Sequence, residues 1–256
     1  MRYSEQTGKE LIAAISEFQP SVIVFQRLEV ILYLEIVRAT FDGSIVLDLD
    51  EVAGPLNDSM VKQTLDKQER ITRLIWSQLV AKYEAQIIPK FDHVWVSSDQ
   101  ERSNFVNAYA TTTSVSVVPN SIDICNYTAT LFNREPKTIV FTGNFGYLPN
   151  LNAVQFLIED VLPLLPDYTL DVVGTHTPQW IRDLDNPQVN VIGEVPDVAP
   201  FIRSGSVTVA PIISGGASRI KVLEAMACGT PVLGTSFGVN GHDLTLENIV
   251  LAHRAA

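Results

Sequence analysis

Residues 206–235 read SVTVAPIISGGASRIKVLEAMACGTPVLGT. A β-branched run leads into a loop of small residues, then an apolar helical pattern, then a second short β-branched run. Strand Ser206–Pro211, a helix over 218–228 introduced by Gly215-Gly216, and strand Pro231–Thr235 make one strand–helix–strand unit. That unit is the building block of a parallel sheet.

The same rhythm extends outward on both sides. Upstream lie strands Thr138–Thr142, Thr169–Gly174 and Val189–Ile192, with helices at 149–164, near 177–184 and around 197–203; a last strand follows at Asn248–Ala252. Before residue 119, strands Ser21–Phe25, Ser44–Asp50, His93–Ser97 and Ser114–Val118 alternate with helices at 5–18, 29–41 and about 58–88. The long helix has an apolar face of Ile71, Leu74, Ile75, Leu79, Tyr83 and Ile87 at a 3.6-residue period, with Tyr83 expected at its edge because its tip is polar. Ser98-Asp99-Gln100-Glu101 reads as a capping box, Ser98 serving the N3 amide and Glu101 reaching back. The polar, irregular stretch PNSIDICNYTATLFNREP (119–136) is the candidate connection. It gives two α/β domains, 1–125 and 126–256.

Composition narrows the function classes. The 256 residues are 46% hydrophobic and 18% charged, which describes a globular chain with one large core or two modest ones. A net charge of −11 without clustered Lys and Arg argues against a nucleic-acid partner. Cys125 and Cys228 are far apart and lack metal-ligand spacing, so a reduced, cytoplasmic chain is expected. MRYSEQTGKE has no apolar leader, and LEVILYLEIV is too short to span a bilayer and carries Glu29 and Glu35. Membrane contact is expected to be peripheral at most.

In doubly wound sheets, ligands bind where strand carboxyl ends meet helix N-termini. Three such ends stand out. Thr142-Gly143-Asn144-Phe145-Gly146 is a turn whose glycines let a ligand approach the backbone, although taken alone the segment reads first as a plain tight turn. At 211–226, Gly215, Gly216 and small neighbours precede a helix whose first turn carries Arg219 and Lys221. Cations there oppose the helix dipole, so an anion such as a diphosphate should compensate them. Glu224, a turn further on, is placed to accept from sugar or ribose hydroxyls; the alternative is that both cations are solvated and Glu224 pairs with one of them. At 191–197, Gly193, Glu194 and Val195 could face a nucleobase, or form a simple turn with Asp197 as helix cap.

VVPNSID (117–123), IVFTGNFGYLPNLNAVQFL (139–157), LDVVG (170–174), VIGEVPDV (191–198) and APIISGGASRIKVLEAMACGTPVLGTSFGVNG (210–241) together resemble the retaining glycosyltransferases of family 4. FDHVWVSSDQERSNF (91–105) resembles the end of that family's acceptor half. The resemblance implies a GT-B architecture, two Rossmann-like doubly wound parallel sheets, the first incomplete here. It implies transfer of a hexosyl group from a nucleotide-diphosphate-sugar donor to a sugar or lipid-linked acceptor hydroxyl, with retention, in polysaccharide or glycoconjugate biosynthesis. Gly143, Asn144 and Phe145 would face the donor diphosphate and sugar, and Gly193, Glu194 and Val195 the base. Gly215, Gly216, Arg219 and Lys221 would lie by the diphosphate, and Glu224 would hold the ribose. No metal or cofactor is implied, because cations and helix dipoles stabilise the leaving diphosphate.

Three positions depart from the family pattern. Gly216 stands where the first glutamate of a pair ending at Glu224 is usual, Ser121 replaces a glycine, and Asn240 replaces a frequent glutamate. The family's first strand and glycine-rich loop, its catalytic-region histidine and its closing helices have no counterpart, so the chain reads as a central piece. That piece is expected to transfer sugar poorly, and no catalytic residue is assigned. His93 is expected to be structural. Asp48 and Asp50 would line the acceptor side or form a solvated strand end. Two other functions fit the same residues: a non-catalytic nucleotide-binding or interaction fragment, and a GT-B sugar-nucleotide epimerase, against which RIKVLEAMACGTPV argues.

Overall fold

The computed structural model describes residues 4–52, 54, 60–61, 64, 66–127, 133–215, 220–241 and 249–251. The chain divides into two compact units, Met1–Pro119 and Asn120–Ala256. This boundary precedes the expected 125/126 junction. The expected junction falls inside a 3-10 helix, Ile124–Tyr127, whose last residue packs against the core of the second unit.

The first unit is a parallel sheet in the order β1 (Val22–Gln26), β2 (Ser44–Asp50), β3 (His93–Val96), β4 (Ser114–Val117). Its helices are α1 (Glu5–Phe18), α2 (Leu34–Thr40), α3 (Lys67–Ile87) and α4 (Asp99–Ala108). Ser4 caps α1 by accepting the Thr7 amide at 3.3 Å. Phe25, Ile45, Leu47, Val94 and Val96 from the strands pack with Leu34, Val37, Ile88 and Phe105 in one core. Burying each such side chain contributes about 1.5–3 kcal/mol.

Three expectations for this unit need correction. The helix expected at 29–41 opens as 3-10 turns over Leu28–Tyr33 before becoming α-helical. The long helix starts at Lys67, capped by Asp66; residues 58–59, 62–63 and 65 of its expected first turns lie outside the described residues. Its apolar stripe of Ile71, Leu74, Ile75, Leu79 and Tyr83 is exposed, and Trp76 with it. Ser77 and Glu84 form the buried face instead, because Ile88 anchors the helix end in the core and the Tyr109 hydroxyl donates to Glu84. In the capping box, Ser98 does accept the Glu101 amide at 3.1 Å. The Glu101 carboxylate, however, accepts the Val52 amide at 2.8 Å and Asn104 at 3.2 Å, tying α4 to the end of β2 rather than to its own cap.

The second unit has a six-stranded parallel sheet. Its strands are β5 (Thr138–Asn144), β6 (Thr169–Thr175), β7 (Val189–Gly193), β8 (Val207–Ala210), β9 (Val232–Gly234) and β10 (Ile249–Leu251), in the order β10-β9-β8-β5-β6-β7. Helices α5 (Leu148–Phe156), α6 (Gln179–Arg182), α7 (Ala199–Ser204) and α8 (Ile220–Ala227) connect them, α5 running on through a π turn at Leu157–Val161. Alternation along β5 feeds two cores. Ile139 and Phe141 face one, with Leu157, Leu170, Val172 and Ile181. Val140 faces the other, with Val173, Ala199, Ile202, Val222 and Ala225. A parallel sheet buried on both faces is the doubly wound arrangement. The chain steps from β5 outward to β7, then returns past β5 to β8. The direction of winding therefore reverses between β5 and β8, and the carboxyl ends of those two strands border the crevice where such sheets take ligands.

Candidate functional site

Two of the three segments singled out in the sequence follow β5 and β8, the strands that flank this reversal. After β5 the chain makes a tight turn. The Asn144 side chain accepts the Gly146 amide at 2.9 Å, and the Asn144 carbonyl accepts the Tyr147 amide at 3.2 Å. Asn144 thus serves the turn with its own side chain. Phe145 is 2% exposed, with its ring 6.0 Å from that of Phe141, so its side chain belongs to the core rather than to the face of a ligand. What this turn offers a ligand is backbone at the exposed Gly146.

The glycine this corner requires most strictly is Gly174, opposite Gly143 on β6. It has φ +150°, and a Cβ there would stand 1.7 Å from the Gly143 carbonyl oxygen. A Cβ on Gly143 would meet the Asn150 side chain at 3.0 Å. The two strands and the start of α5 therefore approach one another without intervening side chains.

Asn150 links the turn to the helix after β8. Its Nδ2 donates to the Asn144 carbonyl at 3.0 Å, and its Oδ1 accepts from Lys221 Nζ at 2.8 Å. Lys221 is only 9% exposed, and its ammonium stands 4.1 Å over the Phe141 ring. It is therefore not the solvated surface charge of the alternative reading. On the same helix, Glu224 Oε1 accepts the Tyr127 hydroxyl at 3.0 Å. Burial pushes the Glu224 carboxyl above the ordinary carboxylate range, while the Tyr127 hydrogen bond and the Lys221 charge pull it back. Burial and the neighbouring Glu224 push the Tyr127 hydroxyl up to about 12.

The third segment reaches the same corner. Asp197 lies close enough to raise both Tyr127 and Glu224, and its carboxylate accepts the Ala199 amide at 2.9 Å at the start of α7. Gly193 has φ +77° with open space where a Cβ would be, Glu194 is exposed, and Val195 packs partly against the core beneath. Gly215 has φ +104° and Ser214 is buried, whereas Gly216 and Arg219 lie outside the described residues. Thr235 at the end of β9 donates its hydroxyl to the Ile212 carbonyl and accepts the Gly238 amide at 2.8 Å, which fixes the chain leaving β8.

Asn150, Gly174, Thr235 and Tyr127 were not singled out in the sequence. Gly174 had a signal, a glycine closing the β-branched run at 169–174. The others are known only through their distant partners.

In the first unit, His93 uses both ring nitrogens on β4, contacting Ser114 Oγ at 2.5 Å and Ser116 Oγ at 2.9 Å. Asp50 pairs with Arg27 at 3.3 Å, and burial raises the Asp48 carboxyl. Among the described residues, no group of three or more His, Cys, Asp or Glu could hold a metal ion, and no helix is long and apolar enough to cross a membrane.

A doubly wound sheet with a cationic, glycine-bordered corner at its switch point is the form of a nucleotide-binding Rossmann-like domain. Residues 136–252, within the second unit, match the family model for glycosyl transferases group 1. The D-inositol 3-phosphate glycosyltransferase of Corynebacterium jeikeium is 26% identical over 278 residues, covering 92% of this chain and 64% of the relative. The chain thus spans less than two thirds of that relative's length. Sucrose-phosphate synthase from Thermosynechococcus elongatus superposes with a TM-score of 0.65 at 18% identity, covering 90% of this chain and 59% of the other. Anabaena Alr3699/HepE in complex with UDP-glucose gives 0.66 at 13%, covering 95% and 68%. Both units share the fold of these GT-B proteins.

Proposed function

We propose that the chain carries the donor side of a glycosyltransferase. It binds a nucleoside diphosphate sugar at the carboxyl edge of the second sheet, for transfer to an acceptor hydroxyl with retention. The observation that carries this reading is the Lys221–Asn150 contact beside the β5/β8 reversal. It holds a buried ammonium next to a turn with accessible backbone, which is what a diphosphate needs. Glu224, in the next turn of α8, suits ribose hydroxyls, because an ionised carboxylate only accepts hydrogen bonds. The UDP-glucose complex of the Anabaena protein favours a uridine nucleotide. Acceptors are sugars or lipid-linked sugars, and the exposed Ile75, Trp76 and Leu79 on α3 are the surface we assign to peripheral membrane contact. The route needs no metal or cofactor.

The test is calorimetric titration of the 256-residue chain with UDP, GDP and ADP, alongside an assay for donor hydrolysis and transfer. Saturable binding of one diphosphate, lost on Lys221→Met, supports the reading. Absence of binding by all three refutes it.

A further inference from the structure

We infer that Tyr127 is a positioning residue for the donor ribose, holding Glu224 by one oxygen so that the other meets the sugar hydroxyls. This rests on Glu224 being the ribose acceptor, as proposed above.

The argument begins with where Tyr127 sits. It ends a short 3-10 helix, Ile124–Tyr127, just inside the second unit, and lies 97 residues from Glu224 in sequence. Its ring packs against the core formed by Val140, Val173, Ala199, Ile202, Val222 and Ala225. That packing fixes where the hydroxyl can point, and it points at Glu224 Oε1, 3.0 Å away. A glutamate on a helix otherwise samples several rotamers, and fixing one of them before the ligand arrives removes that cost from binding. The two carboxylate oxygens have about four acceptor positions. A single hydroxyl on Oε1 leaves acceptor positions on Oε2 for the adjacent hydroxyls of a ribose.

The contact also sets the charge of the acceptor. Glu224 is faced by the Tyr127 hydroxyl, by Lys221 on its own helix, by Asp197 from the turn after β7, and by the Cys228 thiol one turn on. Burial and Asp197 favour the neutral acid, whereas Tyr127 and Lys221 favour the carboxylate. Removing the hydroxyl leaves Lys221 alone on that side, so Glu224 protonates at higher pH. A protonated carboxyl accepts fewer hydrogen bonds, so ribose recognition should weaken in acid earlier than in the unaltered chain.

The experiment measures UDP and 2′-deoxy-UDP affinity of the 256-residue chain and its Tyr127→Phe, Glu224→Gln and doubly substituted forms, from pH 5 to 8 in about half-unit steps. Phe keeps the ring and its packing. Tyr127→Phe should weaken UDP about 3–10-fold, weaken 2′-deoxy-UDP less, and move the acid limb of UDP binding upward. Added to Glu224→Gln, it should change nothing further. Tyr127→Leu, which also loses packing, should show the same loss in UDP affinity with a lowered melting temperature. If Glu224→Gln weakens UDP while Tyr127→Phe leaves both affinity and acid limb in place, the positioning role is wrong and the contact only anchors the 124–127 segment. If Glu224→Gln itself leaves UDP affinity unchanged, the ribose assignment falls, and the inference with it.

Discussion

Replacing Lys221 by Met separates a ligand-binding cation from a structural one. Met keeps the apolar stem and a favourable sulfur contact with the Phe141 ring, and it removes only the ammonium. In the free protein the terms oppose each other. The hydrogen bond to Asn150 and the contact with Phe141 are lost, while the cost of keeping an ammonium at 9% exposure is relieved. Folding stability should therefore change little, by about 1 kcal/mol or less in either direction. Binding has no such offset. A charge-assisted contact to a phosphate oxygen contributes about 1.5–3 kcal/mol, so UDP affinity should fall about 10–150-fold. Uridine, which has no phosphate, should lose less than about threefold, since nothing it presents reaches the ammonium. Asn150→Ala should reproduce part of the loss, and the double variant should fall short of the sum, because the two side chains act as one unit. Titration calorimetry with UDP and uridine, alongside urea denaturation, reads all of these. A UDP affinity within twofold of the unaltered chain, with the fold intact, would refute the assignment of Lys221 to the diphosphate.

Three further outcomes follow from positions with a specific physical demand. Gly174→Ala should destabilise the second unit by at least about 3 kcal/mol in urea denaturation, since its Cβ would overlap the Gly143 carbonyl oxygen at 1.7 Å. Gly193→Ala meets open space and should cost only the backbone strain of φ +77°, about 1–2 kcal/mol. In the first unit, the Ile45 amide and Arg38 hold Asp92 below the usual carboxylate range. Because its folded pKa is depressed, its contribution is present above the unfolded value near ~4 and is lost as pH falls through the folded value. Asp92→Asn should therefore lower stability at pH 7 and flatten that acid limb in a pH series of denaturation curves.

Much of the fold could be read from local chemistry, because parallel strands buried on both faces need short β-branched runs whatever their neighbours. The strands among the described residues and the limits of α1 are of this kind; Ser4 marks the start of α1 by itself. Lys221 and Glu224 stood out because their charge is wrong or unexplained for their place on a helix. Periodicity was informative about α3 only up to a point. It identifies a stripe but not which side is buried, and here Tyr109 draws Glu84 inward and turns the stripe outward. The partners of Lys221 and Glu224 are 71 and 97 residues away. No local pattern in a single sequence pairs Asn150 or Tyr127 with them. At the turn Gly143–Gly146, Asn144 also serves the Gly146 and Tyr147 amides and Phe145 packs by Phe141, contacts that the glycine pattern alone does not announce.

The return of the chain from β7 to β8 also bears on how the second unit assembles. β5, β6 and β7 pair in the order they occur, but β8 must close a loop of 68 residues before Ser206 meets the Thr138 carbonyl. Contacts of that separation form late, because the loop must be closed before any pairing rewards it. The corner that joins Asn150 to Lys221 therefore does not exist in a partly assembled sheet. A nucleotide bound there favours the closed sheet as a whole, by about 2.7 kcal/mol at a concentration 100 times its Kd. In amide exchange, the added protection should run along the backbone of β5 and β8 rather than stay in the loops.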